Sequence, residues 1–221
     1  MRWAARVVVA IVCLSSCNGS SPGAATAPAG PPPTADRCVV GLHGKGDRGA
    51  AGTVDAAGVA HLAPTGNAPG WNDRQWLYFP DDQYDAARAI VESAITGSSC
   101  RQVIIDGFSN GGAFAAKMYC NAETFGGTVV GYVIDDPVPD AATAGCAPSP
   151  GIAATVYWTG ALAATATAGW NCSERDWTCE GGSTIGIDAY AAALGVPITA
   201  SAFTTHTWFR DAPTLAVWPT T

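Results

Sequence analysis

Residues 103–112, with the sequence VIIDGFSNGG, decide the fold class. Three apolar residues predict a buried strand, a glycine-rich turn follows them, and the apolar run 113–120 predicts a helix. Gly107 and Gly111 stand two residues on either side of Ser109, which lets neighbouring backbone pass close to a sharp strand-to-helix turn. Ser109 is therefore predicted to project from the carboxyl edge of a sheet, in front of the positive end of a helix. A serine in this position is a candidate nucleophile.

Further apolar runs alternate with amphipathic stretches on both sides of this turn. The predicted strands are 39–42, 75–79, 129–134, 154–158 and 197–203. One predicted helix is capped by Asp81 or Asp82, and another opens at Thr184. The stretch 45–73 is rich in Gly, Ala and Pro and predicts no regular element. The pattern favours an α/β domain with a mainly parallel sheet of about five to six strands, helices on both faces and no large lid domain.

The first residues are typical of an export signal. Two arginines precede the apolar run 7–14, which is too short to anchor the chain in a bilayer by itself. The run ends at Leu14-Ser15-Ser16-Cys17, which resembles the lipobox of bacterial lipoproteins and implies that Cys17 is lipidated. The alternative is ordinary cleavage and free secretion. We expect residues 1–17 to be the signal peptide, 18–37 a flexible Pro/Gly/Ser-rich tether, and 38–221 the catalytic domain.

Composition and cysteine count indicate an extracytoplasmic protein. The chain has eight cysteines, and six remain once Cys13 of the leader and the lipidated Cys17 are set aside. An even number in an exported chain predicts three disulfides. Eighteen acidic residues against 11 Lys and Arg disfavour nucleic acid as a partner. The cysteine and histidine spacings favour no metal site, and no cofactor is expected.

Two motifs carry a family resemblance. Residues 42–49 (LHGKGDRG) and 107–112 (GFSNGG) together resemble the carboxylesterase and acyl-protein thioesterase branch of the α/β-hydrolases; polyhydroxybutyrate depolymerases and feruloyl esterases have similar pairs. The resemblance implies a serine esterase that acts through Ser109, with the backbone N–H groups of Lys45 and Asn110 as the oxyanion hole. The chain order of nucleophile, acid and base selects His206 as the general base, because His43 and His61 precede the serine.

The acid departs from the thioesterase pattern. That pattern expects an aspartate soon after the strand that ends at Trp158, and residues 159–164 contain no carboxylate. The segment 171–183 is instead similar to the disulfide-closed acid loop of the cutinases, which implies Asp176 as the acid and a Cys172–Cys179 disulfide. The alternatives are carboxylates elsewhere: Asp135 and Asp136 after the strand 129–134, and then Asp188 and Glu174.

The cutinase resemblance also implies the other disulfides. Cutinases tie the start of the oxyanion strand to the strand before the nucleophile, which here implies Cys38–Cys100. Cys120–Cys146 is the pair that remains.

Four aromatic residues near the predicted site elements favour an ester with an apolar acyl or aromatic group: Trp71, Phe108, Trp177 and Trp208. The short chain predicts an open site, and the sequence does not indicate an oligomeric state. Three hypotheses stay open: a lipase-like or cutinase-like esterase, a thioesterase or a polyester or feruloyl esterase of the same fold, and a catalytically inactive hydrolase-fold lipoprotein that binds a partner. Contact with a membrane is expected through the lipid anchor only.

Overall fold

The computed structural model describes residues 35–161, 169–172, 178–209 and 218. The predictions for the leader, for the lipidation of Cys17 and for the tether up to residue 34 fall outside the described residues. Glu174, Asp176 and Trp177 also lie outside them.

Strands from both halves of the chain form the central sheet. The strands are β1 Arg37–Leu42, β2 Ala50–Val54, β3 Val59–Ala63, β4 Ala68–Pro69, β5 Arg74–Gln75, β6 Gln102–Phe108, β7 Val129–Asp135, β8 Ala153–Trp158 and β9 Ile198–Ala200. Within the described ranges, seven of them form one sheet in the order β2-β3-β1-β6-β7-β8-β9, and β4 pairs with β5 separately. Only β2 runs antiparallel to its neighbour in the large sheet. The mainly parallel α/β class predicted from the sequence is confirmed.

The sheet has seven strands and not the expected five or six. The additional strands are β2 and β3. They form a hairpin inside the stretch 45–73, for which the sequence predicts no regular element. Small residues such as Ala and Gly give little periodic signal, so the sequence pattern did not reveal these strands. The hairpin extends the sheet on the far side of β1.

Three α-helices lie in the described residues: α1 Asp81–Thr96, α2 Asn110–Cys120 and α3 Ile187–Leu194. The N-cap of α1 is Pro80, so the prediction that Asp81 or Asp82 caps this helix is wrong. Both carboxylates instead lie in the first turn, where their negative charges interact favourably with the positive end of the helix dipole. The helix predicted from Thr184 begins at Ile187, with Gly186 as its N-cap.

The predicted strand 75–79 is mostly not a strand. Only Gln75 pairs in a sheet, while Trp76 and Tyr78 are fully buried in irregular backbone. Side-chain amides hold this segment in place: Asn110 bonds both backbone groups of Trp76, and Asn67 accepts from the N–H of Leu77. An apolar run can therefore be buried without a strand partner when side chains satisfy its backbone.

The two faces of the large sheet are covered differently. Buried residues of all three helices pack in one cluster with alternate strand residues such as Val40, Ile105 and Ile134. The opposite face has a smaller cluster around Ile104 and Val133, against which Trp218 packs. Helices on both faces were expected, but in the described part of the chain the helices join the first cluster alone.

Three disulfides join Cys38 to Cys100, Cys120 to Cys146 and Cys172 to Cys179. These are the pairs that the cutinase resemblance implies, and they fit an oxidising, extracytoplasmic compartment. Among the residues that the structure describes, no helix has the length and apolarity needed to span a bilayer.

Candidate active site

Ser109 lies at the turn between β6 and α2. Its backbone φ is +54°, a value that is rare for a residue with a side chain, and its residue surface is 4% exposed. The turn depends on glycine on both sides. A Cβ atom at Gly107 would lie 2.2 Å from the carbonyl oxygen of Gly111, and one at Gly111 would lie 2.1 Å from that of Leu42. The sequence pattern and the local geometry therefore agree on a strained strand-to-helix turn that presents a serine.

The loop after β1 lies directly against this turn. A Cβ atom at Gly44 would come within 3.2 Å of the Phe108 ring and 3.4 Å of the Ser109 Cβ atom. The next residue is Lys45, whose ammonium group lies 5.0 Å from the centre of the Trp71 ring and 3.5 Å from the Thr178 hydroxyl. Glycine at position 44 is thus what lets the loop approach the serine.

His43 is a structural residue of this loop. It is buried, its Nδ1 donates to the carbonyl oxygen of Gly44 over 2.8 Å, and its Nε2 accepts from the N–H of Gly66 over 3.0 Å. Burial lowers the pKa of His43, which favours the neutral ring that this bonding pattern requires. Both ring nitrogens bind backbone groups. This agrees with the chain order, which excludes His43 as the general base.

Asp136 and His206 form the central contact of the site. His206 Nδ1 lies 2.6 Å from Asp136 Oδ2, across 70 residues of sequence. The Asp136 side chain is fully buried, while that of His206 is 26% exposed. The imidazole ring also packs against Phe108, the residue before the candidate nucleophile, with 4.5 Å between ring centres. A buried carboxylate therefore orients a partly exposed histidine beside the strained turn.

The carboxylate of Asp136 is held from β8 as well. Its Oδ1 accepts from the backbone N–H of Thr159 over 3.0 Å, and its Oδ2 accepts from the Thr159 hydroxyl over 2.8 Å. Asp136 has a backbone φ of +43°, so a second non-glycine residue with positive φ lies at this edge of the sheet. Asp136 follows β7 and Thr159 follows β8, and carboxyl ends of adjacent parallel strands meet at one edge. Thr159 has no carboxylate, and no sequence pattern marks a threonine as the partner of an aspartate 23 residues earlier.

Two more buried carboxylates hold the segment that carries His206. Asp106 Oδ1 accepts from Trp208 Nε1 over 3.0 Å, and Asp135 Oδ2 accepts from the N–H of Phe209 over 2.5 Å. Phe108 stacks on Trp208 with 5.9 Å between ring centres. Sequence reasoning missed both anchors, since nothing local couples a strand carboxylate to a residue 74 or 102 positions later.

The structure brings several predicted site residues together and leaves others apart. Ser109, Asn110, Lys45, His206 and Asp136 all lie at or beside the carboxyl ends of β1, β6 and β7. Asp188 is exposed in the first turn of α3. Asp176 and Trp177 lie outside the described residues, so the role predicted for Asp176 stays a prediction.

A cavity of about 90 Å³ lies beside the site, on the sheet face opposite the helices. Gly41, His61, Asp106 and Trp208 contribute to its lining. Neither Ser109 nor His206 lines it, so it is separate from the candidate reaction centre. Among the described residues, no group of three or more His, Cys, Asp or Glu side chains could hold a metal ion.

No protein-family model matches the sequence, and no curated protein matches it. Several solved structures show a partial likeness, each with a TM-score below 0.5. A protein of unknown function from Agrobacterium tumefaciens is 15% identical with a TM-score of 0.48, covering 84% of this chain and 89% of its own. The Bacillus cereus carboxylesterase is 14% identical with a TM-score of 0.45, covering 79% of this chain and 82% of its own. An esterase from Thermogutta terrifontis is 11% identical with a TM-score of 0.45, covering 82% and 76%.

The fold is a minimal α/β fold: a mainly parallel sheet with helices and, in the described ranges, no large lid domain. A fold of this class does not define a reaction, which depends on the residues of the site.

Proposed function

We propose that this chain is a serine hydrolase that cleaves carboxylic esters, with Ser109 as nucleophile, His206 as general base and Asp136 as the acid that orients it. The observation that carries the proposal is the contact between Asp136 and His206 beside a serine on a strained strand-to-helix turn. A nucleophile, a base and an orienting acid in this chain order are the parts that acyl transfer through serine requires.

The geometry supports a definite division of roles. Asp136 engages Nδ1 of His206, which leaves Nε2 to take the hydroxyl proton of Ser109 as the oxygen attacks the ester carbonyl. The tetrahedral intermediate collapses when the same imidazole gives the proton to the leaving alcohol. Water then attacks the acyl-enzyme by the same steps, which releases the acid and regenerates Ser109.

The oxyanion formed in these steps needs backbone donors. Asn110 is the first residue of α2, where N–H groups have no acceptor within the helix, and Lys45 follows the glycine that touches Ser109. We assign their backbone N–H groups as the oxyanion hole. One such donor is worth about 3 kcal/mol of transition-state stabilisation.

Asp136 and Asp176 compete for the role of the acid. Asp136 is favoured because its carboxylate is fully buried, receives two bonds from Thr159 and already occupies Nδ1 of the histidine. The cutinase resemblance favours Asp176, which would need the same ring nitrogen. Only one of the two carboxylates can therefore be the orienting acid in a single arrangement of His206.

The substrate class follows from the surroundings of the serine. Phe108 and Trp208 stack beside His206, and Trp71 is 47% exposed near the loop after β1. We propose an ester with an apolar acyl or aromatic group, bound in an open site without a cofactor. The protein would act outside the cytoplasm, either anchored through a lipid on Cys17 or freely secreted.

Labelling with a fluorophosphonate tests this function. The full chain, exported so that its disulfides form, is treated with the reagent and its intact mass is measured, alongside Ser109→Ala and His206→Ala. We expect one adduct on the native protein and none on either variant. His61→Ala is the matched control, because His61 is a partly exposed histidine paired with Asp55 and should leave labelling unchanged.

A folded native protein that takes up no adduct would contradict the proposal and favour a hydrolase fold that binds a partner without turnover. If labelling succeeds, p-nitrophenyl esters of increasing acyl length separate a preference for short acyl groups from a lipase-like preference for long ones.

A further inference from the structure

The segment 206–209 is fixed by three carboxylates that lie on two neighbouring strands and the turn after them. Asp136 binds the His206 ring, Asp106 binds the Trp208 indole, and Asp135 binds the backbone N–H of Phe209. Asp136 binds the histidine ring itself. Asp106 and Asp135 instead bind the Trp208 indole and the backbone of Phe209, which follow the histidine in the chain. The role of Asp135 is the least expected of the three.

Asp135 is an unfavourable residue for the stability of the fold at its position. It is fully buried and its Oδ2 accepts the N–H of Phe209; among the described residues, its Oδ1 has no hydrogen-bond partner. On the same face of β7, two residues earlier, Val133 packs in an apolar cluster. A buried carboxyl group with one of its oxygens unpartnered lowers stability relative to an apolar residue. Packing therefore does not explain why an acid stands here.

We propose that Asp135 is a positioning residue for His206, which fixes the backbone three residues beyond the histidine and adds a second negative charge behind the Asp136–His206 pair when it is ionised. This inference rests on the proposed function, because it assigns a role relative to the catalytic base. Asp135 touches neither the substrate nor the reacting atoms.

The ionisation of Asp135 supports this role. Burial raises the pKa of Asp135 to about 7; the neighbouring Asp136 also raises it, and the N–H of Phe209 opposes the shift. Among the described residues, the other titratable groups around it are Tyr157 on β8, whose pKa Asp135 helps to raise, and His206 beyond Asp136. Asp106 lies on the same face of β6. Asp135 thus gains its charge near neutral pH, where its bond to Phe209 becomes charge-assisted.

Two substitutions separate the two parts of the role. Asp135→Ala removes the acceptor for the N–H of Phe209 and should lower kcat by about 10- to 100-fold with KM unchanged, because a small displacement of a catalytic group has effects of this size. Asp135→Asn keeps a carbonyl oxygen for Phe209 and should restore most of kcat. In this variant the charge is absent at every pH.

The dependence of kcat on pH distinguishes a positioning role from a merely structural one, which would leave that dependence unchanged. With the native protein, kcat should show a further, modest rise as the pH passes through about 7 that Asp135→Asn lacks, because only the native side chain gains a charge in this range. All rates are expressed per fluorophosphonate-titrated site, so that loss of folded protein does not count as loss of kcat.

Val133→Ala is the matched control. It removes buried volume from the same face of the same strand without touching the segment 206–209, so it should lower the melting temperature and leave kcat unchanged. The inference is overturned if Asp135→Ala keeps the native kcat, or if Asp135→Asn keeps the native pH profile. Absence of labelling in the native protein would instead reject the proposed function itself, and this inference with it.

Discussion

The two faces of the central sheet are built for different tasks. On the helix-covered face, Phe114 of α2 is fully buried and stacks on Trp76 and Tyr78, and its ring edge-contacts Tyr84. The helices α1, α2 and α3 pack into this one large cluster. The face is thus an ordinary apolar core, in which burial of large side chains supplies stability.

The opposite face is smaller and more polar. Its apolar centre is Ile104 and Val133, and towards the carboxyl edge the strands place Asp106 and Asp135 under the segment 206–209. Buried carboxylates lower stability unless they are bonded, and here each binds a group next to His206. One face thus mainly holds the fold together, and the other mainly fixes the segment that carries His206, the proposed base.

The largest effect is expected at Asp136, the proposed acid. Asp136→Asn should lower kcat by about 10³- to 10⁴-fold while the protein stays folded, because the neutral amide no longer holds the imidazole in the required tautomer. Kinetics of ester hydrolysis, with circular dichroism as the check on folding, measure this. Asp176→Asn is the comparison: near-native turnover in that variant assigns the acid to Asp136, and the reverse pattern assigns it to Asp176.

Phe114 tests the helix-covered face. Phe114→Ala should lower the free energy of unfolding by about 3–5 kcal/mol, since it opens a cavity among three aromatic rings. Chemical denaturation measures the loss. The kcat per titrated site should stay close to that of the native protein, and a fall of 100-fold or more at this position would contradict the division between the faces.

The disulfides differ in the length of chain that they close, and so in their expected contribution to stability. Cys38–Cys100 closes a separation of 62 residues and Cys172–Cys179 closes one of only 7. Chain entropy therefore predicts losses of about 4 and about 2 kcal/mol when each pair is replaced by alanines. Denaturation of the two double variants checks the ranking. Equal losses, or the opposite order, would show that local packing outweighs chain entropy here.

The smallest expected effect is a change in the free energy of unfolding with pH. It arises from one buried carboxyl group on each face of the sheet. Burial raises the pKa of Asp135 to about 7 and that of Asp140 to about 6, from 3.8 in the unfolded chain. Asp140 lies on the helix-covered side, where it accepts from the Tyr78 hydroxyl and the N–H of Glu180. Both groups bind their proton more tightly when folded, so their contribution is present below about pH 4 and is lost as the pH rises through the folded pKa.

Asp135→Asn and Asp140→Asn should therefore gain stability relative to the native protein as the pH rises above about 4. The gain should level off above about pH 6 for Asp140 and about pH 7 for Asp135. Urea unfolding at a series of pH values measures these slopes. A constant difference across this range would mean that the pKa values are the same in the folded and unfolded protein.

Much of the framework could be predicted from local patterns. The strand, turn and helix around Ser109 follow from three apolar residues, two glycines at fixed spacing and an apolar run. The helix at 81–96 follows from its spacing of apolar residues. The segment 75–79 and the hairpin β2–β3 were missed for opposite reasons, since the first is apolar without being a strand and the second is a pair of strands with few large apolar residues.

The sequence by itself determined that a strained turn presents Ser109, because the sterics of that turn are contained in a few consecutive residues. Chain order also narrowed the candidate base to His206. Only the tertiary structure brought Asp136 to that histidine and set Asp135 and Asp106 beneath the segment that carries it. Those contacts depend on which strands are neighbours in the sheet and on where the chain returns after β9. Adjacency of this kind is a property of the folded sheet and has no local pattern in the sequence.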